Sequence, residues 1–492
     1  MPAESAVSRA VEISRTHRGR AASHILREFV KLLAIPNVAA KRADLQANAE
    51  LLAATFARRR VRTDLLSLRT GPPFVYGELR SPEPRRTIGI YAHYDGQPVN
   101  PGRWTFGPWE PTLCTGPLEA GGRPIPLPKR GAAIDPEWRV YARSAADDKA
   151  PFSALAAAID ALQAAGQPIT SNLKLLFDGE EESSSLNLPR ILELYGDSYQ
   201  DVDLWLLLDG PVHPSRRPQL LFGVRGVTGF ELTVYGPARS LHSGHYGNWV
   251  PEPGVALARL LASLFDEAGR VSVEGFYQAC VPATAAEREA LARLPECDDE
   301  LREELGLSRA GFDGLSRSEC NMLPSVTIRG LRSAQVGERA RNVIPATAEA
   351  SISLRLGRGC DPDAMLDLVE RHIARQGFHI VRVPPDHDTR MRHPWVARVI
   401  RHRGYRAGTT SMEHPTVAGV VEAVTTAAGE PPLLVPMSGA SMPLYLFTES
   451  LGKPAVVVPI ANHDNNQHAA DENLRVANLW YGVDLYAALL AV

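Results

Sequence analysis

Histidine and acidic side chains follow short apolar segments at four places along the chain, in the last case after one intervening loop. They are His93 with Asp95, the glutamates at 180–182, Asp209, and His468. Imidazole and carboxylate ligands suit Zn²⁺ and, less well, Mn²⁺ or Co²⁺. Because the set contains no cysteine, a closed structural zinc site is disfavoured. The pattern indicates a metal site in which one of two adjacent carboxylates binds the ion while its neighbour acts as a base.

The apolar segments before these side chains are predicted to be buried strands of one sheet. Helices alternate with them, as in the segment Pro151–Ala165, and this alternation favours a largely parallel α/β sheet. In open sheets of this kind, ligands bind beyond the carboxyl ends of the strands, so the four groups are expected to converge. The predicted strands are Thr87–Ala92, Leu173–Phe177, Asp203–Leu208 and Pro454–Pro459.

Each group also has a simpler interpretation when it is taken alone. A histidine after a strand is usually structural or exposed, and a run of glutamates fits a solvated loop or the start of a helix. Asp209, or the pair Asp147 and Asp148 before a predicted helix, could cap a helix N-terminus. Their occurrence together at successive strand ends is what favours a shared site.

The order of the predicted elements indicates two domains, since 492 residues are too many for one hydrophobic core. A helical pattern over 21–56, broken near Pro36, leads into the α/β segment. Beyond residue 213 the pattern becomes that of an α+β domain. We therefore predict an α/β domain with a mostly parallel sheet, formed by residues 1–213 and 409–492, and an inserted α+β domain of residues 214–408.

Composition argues against several kinds of partner. The net charge is only −3, so no nucleic acid is expected to bind. No apolar stretch of about 18 residues occurs, and the N-terminus lacks the apolar run of a signal peptide, which predicts a cytoplasmic protein without membrane contact. The five cysteines are scattered without a C-x-x-C pair and are predicted to be reduced thiols. They are Cys114, Cys280, Cys297, Cys320 and Cys360.

At the residues above, the chain resembles the M20 family of metallopeptidases, in particular the carnosinase-like dipeptidases and glutamate carboxypeptidases. The resemblance covers nearly the whole chain, and its motifs occur in the family's order. These motifs are H-x-D at 93–95, D-D-K at 147–149, the glutamate motif at 178–185, Asp209, H-S-G at 242–244, and His468. Six motifs in register carry the assignment, since each of them alone is weak.

The resemblance implies a role for each motif residue. Two divalent ions are expected, with Zn²⁺ favoured and Mn²⁺ or Co²⁺ as alternatives. The implied roles are one ion held by His93 and Asp209, the second held by Glu182 and His468, Asp147 as the bridge, Glu181 as general base, Asp95 as the group orienting His93, and His242 as an oxyanion contact.

The inserted domain is expected, by the same resemblance, to be a lid that also forms a homodimer and lends His242 to the partner's site. The Asp147–Asp148 peptide bond is expected to be cis. The family's substrate contacts correspond to Asn342, Arg355, Gly439 and Ser441. The loop at 437–441 reads M-S-G-A-S and so lacks the arginine and one glycine of the family's R-x-G-G-S turn.

These expectations combine into one functional hypothesis and two alternatives. The first is a dipeptidase or carboxypeptidase that acts on small substrates with a free carboxylate. The second is an N-acyl or N-carbamoyl amino acid amidohydrolase of the same fold, which the altered loop favours slightly. The third is a non-catalytic metal-bound scaffold, which is disfavoured because all five ligands and Glu181 are present.

Overall fold

The computed structural model describes residues 5–295, 297–312 and 314–492. The helices of this part are α1 (Ala6–Leu33), α2 (Arg42–Ala57), α3 (Ala150–Ala164), α4 (Leu188–Tyr195), α5 (Ser243–Tyr246), α6 (Pro253–Ser263), α7 (Ala285–Ala292), α8 (Asp298–Glu304), α9 (Arg317–Asn321), α10 (Pro362–Arg375), α11 (His387–Arg392), α12 (Val417–Ala428) and α13 (Val476–Leu490). No helix among these residues is both long and apolar enough to cross a membrane.

The strands divide among two large sheets and several short ribbons. In chain order they are β1 (Arg62–Leu66), β2 (Phe74–Leu79), β3 (Arg86–His93), β4 (Thr112–Cys114), β5 (Arg139–Tyr141), β6 (Ser171–Asp178), β7 (Leu204–Leu207), β8 (Gln219–Leu221), β9 (Gly223–Val224), β10 (Gly226–Tyr235), β11 (Leu241–His242), β12 (Ser325–Arg332), β13 (Val343–Ile344), β14 (Thr347–Leu356), β15 (His379–Val381), β16 (Val396–Tyr405), β17 (Gly408–Thr409), β18 (Leu433–Val435), β19 (Ala455–Val457) and β20 (Asn473–Arg475).

The larger sheet has the strand order β1-β2-β6-β3-β7-β19-β8-β18. Side chains alternate across β3: Ile88 and Ile90 face the core under α1, α3, α12 and α13, while Tyr91 faces the core under α4. Both faces are covered, which is why the central strands read as continuous apolar runs. This is the α/β architecture that the sequence predicted.

The sheet is mixed rather than largely parallel. Its centre is parallel from β6 through β3 and β7 to β19, and β8 pairs in parallel with β18. Antiparallel pairing joins β1 to β2, β2 to β6, and β19 to β8. Strands and helices alternate along the chain only in the segments that form the centre of the sheet. At one edge, β1 and β2 are joined by a short connection and therefore pair antiparallel.

The second sheet has the order β12-β14-β10-β16-β15. Buried positions alternate with half-exposed ones along β14, and α6 and α10 pack on the buried face. The strand β8, at 219–221, belongs to the larger sheet, and the first strand of the second sheet along the chain is β10. The proposed domain limits at 213/214 and 408/409 stay a prediction.

One prediction about the cysteines was wrong. The structure joins Cys280 and Cys360 in a disulfide, whereas Cys114, Cys297 and Cys320 are free. The two chain segments run side by side here, since the Val281 N–H donates to the Arg358 carbonyl at 2.8 Å. A contact between residues 80 positions apart has no local spacing signature, so the sequence pattern did not reveal it.

Candidate metal centre and substrate pocket

The predicted acidic and histidine side chains meet beyond the carboxyl ends of the central strands. His93 is the last residue of β3, and Asp209 lies two residues after β7. Glu181 and Glu182 begin a 3₁₀ turn after β6. Asp147 precedes α3, where Lys149 is the helix cap, so it does not cap that helix. The Asp147–Asp148 peptide bond is cis, as expected.

Asp147 lies between the two histidines. Its Oδ1 is 3.0 Å from Nε2 of His93, and its Oδ2 is 3.0 Å from Nε2 of His468. Nε2 of His468 is in turn 3.4 Å from Oε2 of Glu182. A carboxylate whose two oxygens face different histidines has the geometry of a bridging ligand.

The donor atoms form two groups, each able to surround one cation. In each group the atoms lie within 4.8 Å of one another, and the members are His93, Asp148 and Asp209 in the first group and Asp147, Glu182 and His468 in the second. All five predicted ligands are therefore brought together. Asp148 is an addition, since the sequence pattern placed it in the motif but gave it no role.

Asp95 connects the two halves of the centre. Its Oδ1 is 3.3 Å from Nδ1 of His93 and accepts the Glu181 N–H at 3.0 Å, and its Oδ2 accepts the Glu182 N–H at 3.1 Å. One buried carboxylate thus lies beside the imidazole and also fixes the turn that carries both glutamates. The orienting role of Asp95 toward His93 stays a prediction, and its two contacts with the glutamate turn were not predicted.

Glu472 supports Asp147 from behind. Its Oε1 accepts the N–H groups of Ala146 and Asp147, each at 2.9 Å. Its Oε2 accepts the Ser144 N–H and Nη1 of Arg143, each at 2.8 Å. The sequence signal was the acidic run that follows His468, but it did not show which carboxylate turned inward.

The electrostatics of the centre fit divalent cations. Burial, together with the nearby charge of Asp147, raises the pKa of Glu182 to about 7 and that of Asp209 to about 6. Burial also raises the pKa of Glu181 well above its usual value. Oδ1 of the buried Asp148 has no hydrogen-bond partner among the described residues. Several buried carboxylates that repel one another, one of them with an unpaired oxygen, form a donor set that cations would stabilise.

A cavity of about 390 Å³ opens beside these carboxylates. Glu181, Arg355 and Ser441 all line it, and Nη1 of Arg355 donates to Oγ of Ser441. Two of the predicted substrate contacts therefore face the same space as the predicted base. The volume lies at the lower end of the range of about 300–1,000 Å³ that is usual for small-molecule sites.

The other predicted contacts lie elsewhere within this chain. His242 pairs with Val343 across the β11–β13 ribbon, and Asn342 accepts the Ser243 N–H at 3.1 Å. Both His242 and Asn342 are exposed, and neither lines the cavity. Gly439 also lies off the cavity wall, although it belongs to the same loop as Ser441.

Arg225 holds the loop that carries Ser441, and the sequence analysis missed it. Its Nη2 and Nε donate to the Gly439 carbonyl at 3.0 and 3.3 Å, and its own N–H donates to the Ala440 carbonyl at 3.2 Å. Burial and the neighbouring charge of Arg355 lower the pKa of Arg225 to about 10. No motif marks a lone arginine between the strands β9 and β10, so only the fold reveals this contact.

Comparison with known proteins assigns the family. Residues 89–492 match the profile of peptidase family M20/M25/M40. The chain belongs to this family. It is therefore a metal-dependent peptide hydrolase, and the resemblance seen in the sequence motifs is confirmed. This activity class argues against the alternative of a non-catalytic scaffold.

Two curated relatives and one solved structure show which proteins the chain resembles. The Cys-Gly metallodipeptidase of Saccharomyces cerevisiae is 26% identical over 85% of this chain and 82% of its own. The human Beta-Ala-His dipeptidase is 27% identical over 85% of this chain and 76% of its own. An M20 family metallo-carboxypeptidase from Sulfolobus solfataricus superposes with a TM-score of 0.78 at 25% identity, covering 95% of this chain and 98% of its own.

Proposed function

We propose that this M20 peptidase is a dipeptidase or carboxypeptidase that removes a C-terminal residue bearing a free carboxylate from small peptides. The observation that carries the proposal is the Arg355–Ser441 pair, which lines the same cavity as the carboxylate cluster. A guanidinium and a hydroxyl together suit a carboxylate ligand. The relatives named as dipeptidases and as a carboxypeptidase support the same reaction class.

The donor set divides naturally between two ions, for which Zn²⁺ is favoured. His93 and Asp209 would hold one, Glu182 and His468 the other, and Asp147 would contribute an oxygen to each. Bound divalent ions supply Lewis acidity toward the peptide carbonyl and lower the pKa of water.

Glu181 is the residue that moves protons. Its carboxylate lies in the cavity wall and accepts no hydrogen bond from the described residues, which leaves it free to accept a proton from the attacking water. It then returns that proton to the leaving amine nitrogen. Asp95 holds the Glu181 backbone in place, and Arg355 with Ser441 binds the substrate carboxylate.

We also propose that the enzyme is a homodimer in which His242 acts in the partner's cavity. His242 is exposed and does not line the cavity of its own chain. Two large apolar side chains in the neighbouring chain segments are also exposed: Trp249, which follows His242 in sequence, at 77%, and Val336, which precedes its strand partner Val343, at 85%. Apolar groups left this open favour contact with a second copy, which would bring His242 to a site.

A mixing experiment tests this part of the proposal. Homodimers of His242→Ala and of Glu181→Gln should each be nearly inactive. Random subunit exchange at equal amounts makes half of the dimers mixed, and each mixed dimer has one intact site of two, so roughly a quarter of the activity should return. His245→Ala is the matched control, because its ring lies 4.7 Å from that of His242 and it has no proposed role. Exchange proven by an independent label without recovery would exclude action in trans.

A substrate panel tests the reaction class. Metal-free protein is reconstituted with Zn²⁺, Mn²⁺ or Co²⁺ and assayed on dipeptides, on N-acyl amino acids and on N-carbamoyl amino acids. We expect turnover of dipeptides. Turnover of only the acylated or carbamoylated amino acids would establish the amidohydrolase alternative, which the M-S-G-A-S loop at 437–441 favours. The cytoplasmic location stays a prediction.

A further inference from the structure

The wall of the cavity that adjoins Arg355 is apolar. Val227, Tyr405, Met442, Tyr445 and Leu446 line it, and the same cavity is also lined by the carboxylates of the metal centre. Neither the family profile nor the motif pattern assigns a role to any of these five side chains. A surface of this kind, next to a polar anchor and a reaction centre, is suited to receive an apolar part of the substrate.

Sheet register sets the distance between the anchor and this wall. Val227 on β10 pairs with Arg355 on β14 at one side and with Tyr405 on β16 at the other. Side chains in one cross-strand row share a face of the sheet, and neighbouring strands lie about 4.8 Å apart. The backbone of Tyr405 is therefore about 10 Å from the backbone of Arg355, with Val227 between them. A residue whose carboxylate binds Arg355 would place its own side chain over Val227 and Tyr405.

The segment that carries Tyr445 and Leu446 packs against the segment that carries Tyr405. The rings of Tyr405 and Tyr445 stack with centroids 4.8 Å apart and planes inclined by 9°. A Cβ at Gly408 would lie 2.5 Å from the Tyr445 backbone nitrogen, so the segments 405–409 and 444–446 are in close backbone contact. The wall is thus a preformed surface to which both the second sheet, through Tyr405, and the segment between β18 and β19 of the larger sheet, through Tyr445, contribute.

We propose that Val227, Tyr405, Tyr445 and Leu446 form a subsite for the side chain of the substrate's C-terminal residue, and that this residue is large and apolar or aromatic. The inference rests on the proposed function, because it requires Arg355 to bind the terminal carboxylate. A glycine at this position would leave the wall in contact with water, whereas a leucine or phenylalanine would cover it. Selectivity thus comes from the apolar wall, and orientation comes from Arg355 and Ser441.

The test compares kcat/KM for Ala-Gly, Ala-Leu and Ala-Phe with the metal-loaded enzyme. The wild type should prefer Ala-Leu and Ala-Phe over Ala-Gly by at least about 10-fold, the lower limit for a difference of one methylene in an apolar pocket. Val227→Thr and Tyr445→Ser should each reduce that ratio several-fold. Tyr405→Phe should retain it, because the ring rather than the hydroxyl forms the wall. Val383→Thr, at an exposed position outside the cavity, is the matched control for Val227→Thr and should leave the ratio unchanged.

The outcomes separate this proposal from the reaction class. Cleavage of all three dipeptides with Ala-Gly equal or preferred would overturn the subsite while the dipeptidase function stands. If no dipeptide is cleaved, the same comparison is made with N-acetyl-Gly and N-acetyl-Phe. A preference for N-acetyl-Phe that Tyr445→Ser abolishes would support the subsite in an amidohydrolase, and equal turnover would reject it. Melting temperatures and metal contents of the variants identify any that fail to fold.

Discussion

Replacing Glu472 by glutamine should test how the structure holds Asp147 in place. The glutamate is fully buried, and its two oxygens together accept four hydrogen bonds, one of them from the Arg143 guanidinium. Glutamine has the same shape but only one acceptor oxygen. In either orientation, two of the four donors would face an NH₂ group, and Arg143 would lose its buried counter-charge.

The expected cost follows from the burial of this ion pair. The Arg143 side chain is only 3% exposed, so water cannot replace the lost carboxylate. Breaking a buried pair by changing one partner costs about 3–5 kcal/mol. For a cooperative unit of about 300 residues, this corresponds to a fall in Tm of about 5–8 °C. Since the Asp147 N–H is one of the four donors, metal affinity should also fall, by roughly 10–100-fold.

Two measurements separate the two effects. Thermal and urea unfolding of the metal-free protein report on stability, and Zn²⁺ titration with a competing chelator reports on affinity. Glu137→Gln is the control, because Glu137 is half exposed and lies 3.4 Å from Arg475, so that its loss should cost less than about 1 kcal/mol. The reasoning fails if Glu472→Gln unfolds like the wild type and binds Zn²⁺ with unchanged affinity.

Three further predictions concern the metal centre and a buried histidine. Glu181→Gln should nearly abolish turnover while the protein keeps its full metal content. Glu182→Gln should lose metal, whereas Glu180→Gln should retain it. Metal loss from Glu181→Gln alone would show that Glu181 is the ligand and Glu182 the base. Complete chelation should stop turnover and lower Tm, since ligand at 100 times its Kd adds about 2.7 kcal/mol of stability; full activity without metal would contradict the two-ion centre. Burial and the charges of Arg317 and Arg217 lower the pKa of His213 to about 4. As pH falls, the unfolded protein therefore protonates His213 at a higher pH than the folded protein does. The stabilising effect of neutral His213 on the folded state is complete above about pH 6.5 and is lost toward pH 4. His213→Gln should flatten the decline in unfolding free energy of the metal-free protein between those values, and an unchanged slope would exclude this role.

The elements predicted with most success are those whose burial is uniform. The strand predicted at Thr87–Ala92 is β3, and the helix predicted at Pro151–Ala165 is α3, each displaced by one residue at most. β3 lies in the centre of the larger sheet, which is covered on both faces, and α3 is buried against α1 and α13, so each keeps a nearly unbroken apolar pattern. The pattern is weaker at the edges: β1 is mostly exposed, and it was not predicted.

The candidate site was predictable to the extent that its residues occupy strand ends. His93, Glu182 and Asp209 follow strands, and the edge of a sheet brings such positions together whatever their separation in sequence. Residues that act through hydrogen bonds to distant segments of the chain carry no periodicity. Arg225 and Glu472 are of this kind, and sequence reasoning assigned neither of them a role.

The proposed preference for an apolar C-terminal residue depends on how sheet register places the neighbours of Arg355. The motif pattern could place Arg355 at the substrate, but it could not show which neighbours flank it, because these depend on pairing with β10 and, through β10, with β16. A register slip of one residue would turn Val227 to the other face and remove the apolar row. The register is held at the end of β10 nearest the cavity, where Arg225 and Val224 pair with the loop at 438–440. The loop that lacks the family's arginine is therefore also the loop that fixes the row beside Arg355. Changes in that loop should alter selectivity for the C-terminal side chain as well as affinity for the carboxylate.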